Sequence, residues 1–112
     1  MTLPQLQQQI GQIQHQADIQ ARGLNRLDFF AECPGHPLQI VAADEAQRVR
    51  LNLSRLFTRL HQLEARLPTP ELLSARAYDR LIMLGMSIDA AEAGRLHAYR
   101  QAAHNQRFQH AA

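Results

Sequence analysis

Six histidines and one cysteine are the side chains of this sequence best suited to metal binding or nucleophilic chemistry. Cys33 and His36 have a Cys-x-x-His spacing, but no second close pair of ligands completes a zinc site with them. His97 and His104 lie two helical turns apart, which is too far to chelate one ion. Glu32 places a like charge beside Cys33 and opposes formation of its thiolate. We therefore predict no metal site, no cofactor-binding residue and no catalytic residue.

The sequence also lacks the motifs that usually mark an enzyme. It contains no His-Glu-x-x-His pair, no glycine-rich phosphate-binding loop and no nucleophile elbow. A core of leucine and alanine in a chain of 112 residues leaves little room for a substrate pocket. We therefore predict that the protein is not an enzyme.

Arginine supplies all twelve basic residues, and five of them fall between residues 46 and 67, where the only acid is one glutamate. The absence of lysine is typical of a GC-rich bacterial coding background. Clustered arginines can neutralise phosphates in salt-dependent nucleic-acid binding. Equally, they can pair with acids on neighbouring helices, such as Asp18, Asp28 or Glu32. The arginines expected to contact nucleic acid, if it binds, are Arg48, Arg55, Arg59 and Arg66.

A second possible nucleic-acid element is RLIMLGMSIDAAEAGRLHAY, residues 80–99. Gly85 fits the turn of a helix-turn-helix motif. Arg80 and Gly94, however, stand where that motif needs apolar residues, and Asp89 would repel phosphates at the start of the second helix. The segment is therefore expected to be a structural corner between two helices.

Two long segments, residues 1–31 and 44–67, position most of these side chains. Each carries apolar residues at alternating steps of three and four, the pattern of helices that pack as a coiled coil. We predict that they form a long antiparallel coiled-coil-like hairpin. We call each row of apolar residues a seam. Two such seams offer more apolar surface than we expect a monomer to cover, so we predict a homodimer or a complex with another protein. The interface is expected at Leu6, Ile10, Ile13, Leu53, Leu56, Leu60 and Leu63.

Proline and glycine mark the break between these segments, which we predict to be a loop over residues 32–43. Asp44, followed three residues later by Gln47, predicts a capping box at the start of the second helix. Within the first helix, we expect a bend or break near Gly23 because glycine weakens helices.

Residues 70–84 and 87–106 are predicted to form two shorter helices. Thr69 is the expected N-cap of the first of them, because Pro70 follows it at a position that favours helix initiation. Gly85 is expected to cap its C-terminus, and Ser87 is expected to cap the next helix.

The chain as a whole, residues 1–112, is predicted to be one all-α domain, a small bundle of three to four helices. The polar segment 107–112 is expected to fray. A single cysteine, together with the lack of a secretory signal or a membrane span, predicts a cytoplasmic protein. These features favour a protein-interaction module, meaning an adaptor, regulator or inhibitor that acts through helical faces as an oligomer. The alternative is a small nucleic-acid-binding regulator.

Overall fold

The computed structural model of the chain describes residues 1–111, and its helices are joined by short loops. The four helices are α1 (Leu3–Ala31), α2 (Gln39–Glu64), α3 (Thr69–Met83) and α4 (Ile88–Ala111). The helix α1 packs along α2, and α3 packs along α4, so the fold consists of two helix hairpins. This arrangement confirms the predicted all-α fold and its antiparallel first hairpin.

The two hairpins meet mainly through α3, which contacts both α1 and α2. The molecule is elongated, with principal dimensions of 62 × 26 × 19 Å. Its radius of gyration is 17.1 Å, whereas a compact chain of this length has a value of about 13 Å. Over residues 1–111, no helix has a stretch both long and apolar enough to cross a lipid bilayer.

A capping box that was not predicted starts α1. The hydroxyl of Thr2 accepts a hydrogen bond from the backbone N–H of Gln5, and the side chain of Gln5 accepts one from the backbone N–H of Thr2. These two bonds satisfy N–H groups that the first turn leaves without a helical partner. The helix then continues through Gly23 without interruption, so the predicted break does not occur there.

The helix α2 begins at Gln39, five residues before the predicted start. The chain turns at Gly35 (φ 77°), and Nε2 of Gln39 donates a hydrogen bond to the last carbonyl of α1 at 3.2 Å. Because Ala42 is buried, the additional helical turn also adds apolar contact. The predicted capping box at Asp44 is therefore wrong, and the loop predicted over 32–43 ends at residue 38.

Between α2 and α3 the boundaries also differ from those predicted. α2 ends at Glu64 rather than at residue 67, and a turn leads to Pro68. Thr69 already belongs to α3, so it is not the N-cap; Pro68 holds that position in an extended conformation. The fixed φ of proline suits this role, although no side chain caps the helix.

The turn between α3 and α4 confirms both predicted caps. Gly85 adopts a φ of 75°, and the backbone N–H of Met86 donates a hydrogen bond to the carbonyl of Leu81 at 3.0 Å. This is the bonding pattern of a Schellman motif, in which glycine avoids the strain of the left-handed conformation. At the start of α4, the hydroxyl of Ser87 accepts a hydrogen bond from the backbone N–H three residues ahead.

α3 and α4 contact each other extensively, so the predicted corner between them is the turn of a second hairpin. Gly94 permits close packing here: a Cβ atom at this position would lie 2.4 Å from Cδ1 of Leu81. α4 continues beyond the predicted end at residue 106 to Ala111, since no glycine or proline follows Gly94. Of the segment 107–112 predicted to fray, residue 112 lies outside the described residues.

Candidate functional site

The seven seam residues predicted to form an intermolecular interface lie in the core of the chain itself. α1 and α2 pack on each other through these residues, so each seam covers the apolar surface of the other. Packing within the chain therefore replaces the predicted interface between subunits, and any surface for a partner must lie elsewhere. Five of the seven are buried, namely Leu6, Ile10, Leu53, Leu60 and Leu63, and the other two, Ile13 and Leu56, are partly buried.

The four arginines predicted to contact nucleic acid lie on one side of α2 and its following turn, facing away from the core. They are all exposed, and they extend over about 27 Å at the rise of an α-helix. Arg48 pairs with Glu45 at 3.5 Å. The others make no ion pair with any residue of the described part of the chain. We call these residues the basic stripe: Arg48, Arg55, Arg59 and Arg66.

Asp18, Asp28 and Glu32 were the alternative partners for the arginines of α2, and of these Asp28 has that role. Asp28 pairs with Arg50 at 2.5 Å across the first hairpin. Asp18 instead pairs with Arg22 at 3.3 Å within α1. Neither acid neutralises the basic stripe, which remains a solvated positive surface.

Each of the four helices contributes one polar side chain to a cluster at the junction of the hairpins. Nε2 of Gln14 (α1) donates a hydrogen bond to Oδ1 of Asp79 (α3) at 2.7 Å. Nη2 of Arg95 (α4) donates one to Oε1 of Gln14 at 2.9 Å, and the Arg95 guanidinium lies 4.1 Å from the ring centroid of Tyr78. Glu64 (α2) completes this set, which we call the junction cluster.

Glu64 is the most deeply buried charged residue of the cluster, with 0% of its surface exposed. Neither of its carboxyl oxygens has a hydrogen-bond donor among the described protein groups, and the same holds for Oδ2 of Asp79. Burial, followed by the nearby Asp79 carboxylate, which can accept a proton-mediated hydrogen bond and repels a second negative charge, raises the pKa of Glu64 to about 9. The opposing effects of Arg76 and Arg95 are smaller. Without a bound cation, Glu64 is therefore protonated at neutral pH and can donate a hydrogen bond to Asp79.

At the edge of the junction cluster lies His61, which precedes Glu64 by one turn of α2 and is exposed. One ring nitrogen of His61 and one oxygen each of Glu64 and Asp79 all lie within 4.8 Å of one another. Imidazole and carboxylate groups are ligands for divalent metal ions. These metal ligands were not predicted, because Asp79 comes from another helix and is distant from His61 and Glu64 in sequence.

A signal for the buried polar positions is nevertheless present in the sequence. Gln14, Glu64 and Asp79 each follow a core residue by four positions, so each lies on the apolar side of its helix. The preceding core residues are Ile10, Leu60 and Ala75.

Cys33 and His36 do not come together as a site. The Cys33 thiol is free and partly buried. His36 instead supports the loop before α2: its Nδ1 accepts a hydrogen bond from the backbone N–H of Leu38 at 3.1 Å, and its ring packs on Phe30 with centroids 5.0 Å apart. His36 therefore has a local structural role.

Large apolar side chains are exposed where the α3–α4 turn meets α1. Gly85 packs so closely on α1 that an added Cβ would lie 2.2 Å from Nδ2 of Asn25. Phe29 follows Asn25 by four residues and so lies on the same side of α1, one turn beyond this contact. We call the surrounding exposed apolar residues the apolar end: Phe29, Met83, Leu84 and Met86.

A groove of about 400 Å³ adjoins the apolar end. Its lining includes Ala21 of α1 and Leu53 and Phe57 of α2. Met83 of the apolar end and His61 of α2 also line it. The groove therefore connects the apolar end with the solvent side of the junction cluster.

Comparison of the chain with protein-family models, with curated proteins and with solved structures finds no match in any of the three. The function must therefore be inferred from the chemistry and geometry of these surfaces.

Proposed function

We propose that this chain is a non-enzymatic protein-interaction module that associates through the apolar end, in the first place with a second copy of itself. The observation that carries the proposal is the exposure of four large apolar side chains around one turn. Leu84 and Phe29 are 68% and 65% exposed. Large apolar side chains exposed close together are typical of surfaces that bind proteins.

The surface area of the chain supports association. Its accessible surface is 7764 Å², whereas a compact monomer of 12.7 kDa exposes about 6200 Å². The excess is larger than the area of about 800 Å² that each partner buries in a standard protein interface. Association of this elongated chain can therefore bury a full interface without unfolding either hairpin.

Charges beside the apolar end favour a second copy as the partner. Exposed Arg80 precedes the turn and exposed Asp89 follows it. In a twofold-symmetric pair, the same patch contacts itself, so Arg80 of each copy can lie opposite Asp89 of the other. The same surface can serve an adaptor, regulator or inhibitor once a further protein binds the pair.

The test compares self-association of the wild type with that of a double variant, Leu84→Gln and Met86→Gln. Sedimentation equilibrium is expected to show dimerisation that is at least about tenfold weaker in the double variant, because each lost apolar contact costs free energy of association. Leu51→Gln is the matched control, since Leu51 is also an exposed apolar residue but lies on α2, outside the apolar end. Equal dimerisation of the wild type and the double variant would overturn the proposal.

A cytoplasmic location is part of this proposal. Cys33 is a free thiol, and proteins without disulfides fit a reducing compartment. Fractionation of the native host with an antibody against the chain tests the location, and recovery outside the cytoplasm would contradict it.

Nucleic-acid binding through the basic stripe is the second candidate function. What favours it is that Arg55, Arg59 and Arg66 lie on one exposed surface and form no ion pair within residues 1–111. The logarithm of the association constant for duplex DNA is then expected to fall linearly with the logarithm of the salt concentration. The slope is about −0.9 for each phosphate contacted.

A salt titration with the double variant Arg55→Gln and Arg59→Gln tests this second function. The variant should bind more weakly and with a salt slope lower by about 2. Arg26→Gln is the control, because Arg26 is exposed and lies on α1 rather than on α2. Absence of binding by the wild type at low salt would exclude this function.

A further inference from the structure

Three potential metal ligands converge at the junction of the hairpins. His61 and Glu64 are three residues apart on α2 and therefore lie on one side of that helix. Asp79 approaches them from α3. One ligand atom from each residue lies within 4.8 Å of those of the other two. The arrangement offers one nitrogen and two oxygens to a single ion.

The buried oxygens of this group are a second observation beside the clustering, because they need either a proton or a cation. Glu64 and Asp79 are almost fully buried, at 0% and 3% exposure. Buried carboxylate oxygens normally receive hydrogen bonds or bind metals, because burying them without a partner is costly. Both oxygens of Glu64 and Oδ2 of Asp79 lack such a donor among the described protein groups.

We propose that His61, Glu64 and Asp79 bind a divalent transition-metal ion, with Zn²⁺ as the best match. Zn²⁺ accepts mixed imidazole and carboxylate ligands, and the imidazole argues against Mg²⁺ and Ca²⁺, which prefer oxygen alone. Two carboxylates also neutralise the charge of the ion. This inference does not depend on the proposed function.

The distances require only a local adjustment. Ligand atoms of a tetrahedral zinc site lie about 3.4 Å apart when each metal–ligand distance is about 2.1 Å. The ligand atoms here must therefore approach one another by up to about 1.4 Å. His61 is exposed and lines the adjoining groove, so its ring is free to rotate toward the carboxylates, and an ion can enter from the same side.

Neighbouring side chains hold Asp79 in the orientation that such a site needs. Gln14 donates a hydrogen bond to Oδ1 of Asp79, which leaves Oδ2 for the ion. Arg95 in turn donates one to Gln14. Hydrogen bonds from residues that do not themselves touch the metal commonly fix the orientation of metal ligands. The ion would link α2 to α3 and so join the two hairpins.

The test is isothermal titration of the chelator-treated, full-length protein with Zn²⁺, together with thermal unfolding in the presence and absence of the ion. One equivalent of Zn²⁺ is expected to bind and to raise the Tm. Glu64→Gln and His61→Ala are each expected to weaken binding by more than about tenfold. Both variants should fold, because glutamine mimics a protonated glutamate and His61 is exposed. The control is His97→Ala, which alters an exposed histidine of α4 and should bind Zn²⁺ like the wild type.

Several results would overturn the proposal. Absence of saturable Zn²⁺ binding would mean that Glu64 and Asp79 share a proton instead. Unchanged binding in Glu64→Gln or in His61→Ala would place the ion elsewhere. Mg²⁺ binding as tight as Zn²⁺ binding would refute the assignment of a transition metal.

Discussion

The carboxyl groups of Glu64 and Asp79 face each other in the buried junction between the two hairpins, although they come from different helices. Two carboxyl groups with oxygens within 4.8 Å of each other cannot both ionise in a buried site without a large cost in free energy. The pair therefore needs a proton or a cation between its members. It is also one of the few direct links between α2 and α3, so its charge state bears on how firmly the hairpins are joined.

In the absence of a metal ion, the stability of the protein should fall as the pH rises. The pKa of Glu64 is raised from 4.5 to about 9 in the folded state. Between these values the folded protein holds a proton that the unfolded chain has released, so the free energy of unfolding decreases with increasing pH. The slope is at most about 1.4 kcal/mol per pH unit.

The variant Glu64→Gln isolates this effect, since the other charged groups near Glu64 are retained. They are Asp79, Arg76 and Arg95, together with His61 at the edge of the cluster. Urea unfolding with a chelator present, at pH 5 and at pH 8.5, should show that the variant gains stability relative to the wild type at the higher pH. A constant difference between the two proteins at both values would contradict the account.

Replacement of Gln14 by methionine should destabilise the fold. The change keeps the side-chain volume but removes the donor to Asp79 and the acceptor for Arg95. Leaving a buried carboxylate without its donor costs about 1–3 kcal/mol. Gln12→Met, at an exposed position of the same helix, should change the free energy of unfolding by less than about 0.5 kcal/mol. Similar values for the two variants in urea unfolding would refute the structural role of Gln14.

Alanine at Gly85 should cost more stability than alanine at Gly35. Both glycines have positive φ, at 75° and 77°, so each substitution introduces backbone strain of about 1–2 kcal/mol. Only at Gly85 does the new Cβ also meet a side chain, that of Asn25.

A double-mutant cycle with Asn25→Ala separates these two contributions. In the Asn25→Ala background, Gly85→Ala should cost no more than Gly35→Ala does in the wild type. If the excess cost persists in that background, the close contact with Asn25 is not its cause. Thermal or urea unfolding of the four proteins of the cycle, and of Gly35→Ala, gives the required free energies.

The helix pattern and the first hairpin were predictable because repeating apolar residues specify which side of a helix is buried. The steps of three and four through Leu53, Leu56 and Leu60 locate that side of α2 correctly. Periodicity does not, however, specify the partner of a seam. The two seams cover each other within one chain. The apolar pattern therefore gave no ground for expecting a leucine-lined interface between subunits.

The junction cluster was not predicted because its members are far apart in sequence. Gln14 and Asp79 form a hydrogen bond across 65 positions, and nothing local to either residue identifies the other. The start of α2 was misplaced for a related reason. Asp44 resembled an N-cap, but the contact of Gln39 with the end of α1 starts the helix earlier.

The central claim is that the apolar end, rather than the leucine seam, makes this chain an interaction module that pairs with itself. Sedimentation equilibrium of the wild-type protein over a concentration series tests this claim most directly. We expect a mass that rises with concentration toward twice the chain mass of 12.7 kDa. A mass that stays at 12.7 kDa up to the solubility limit would contradict it.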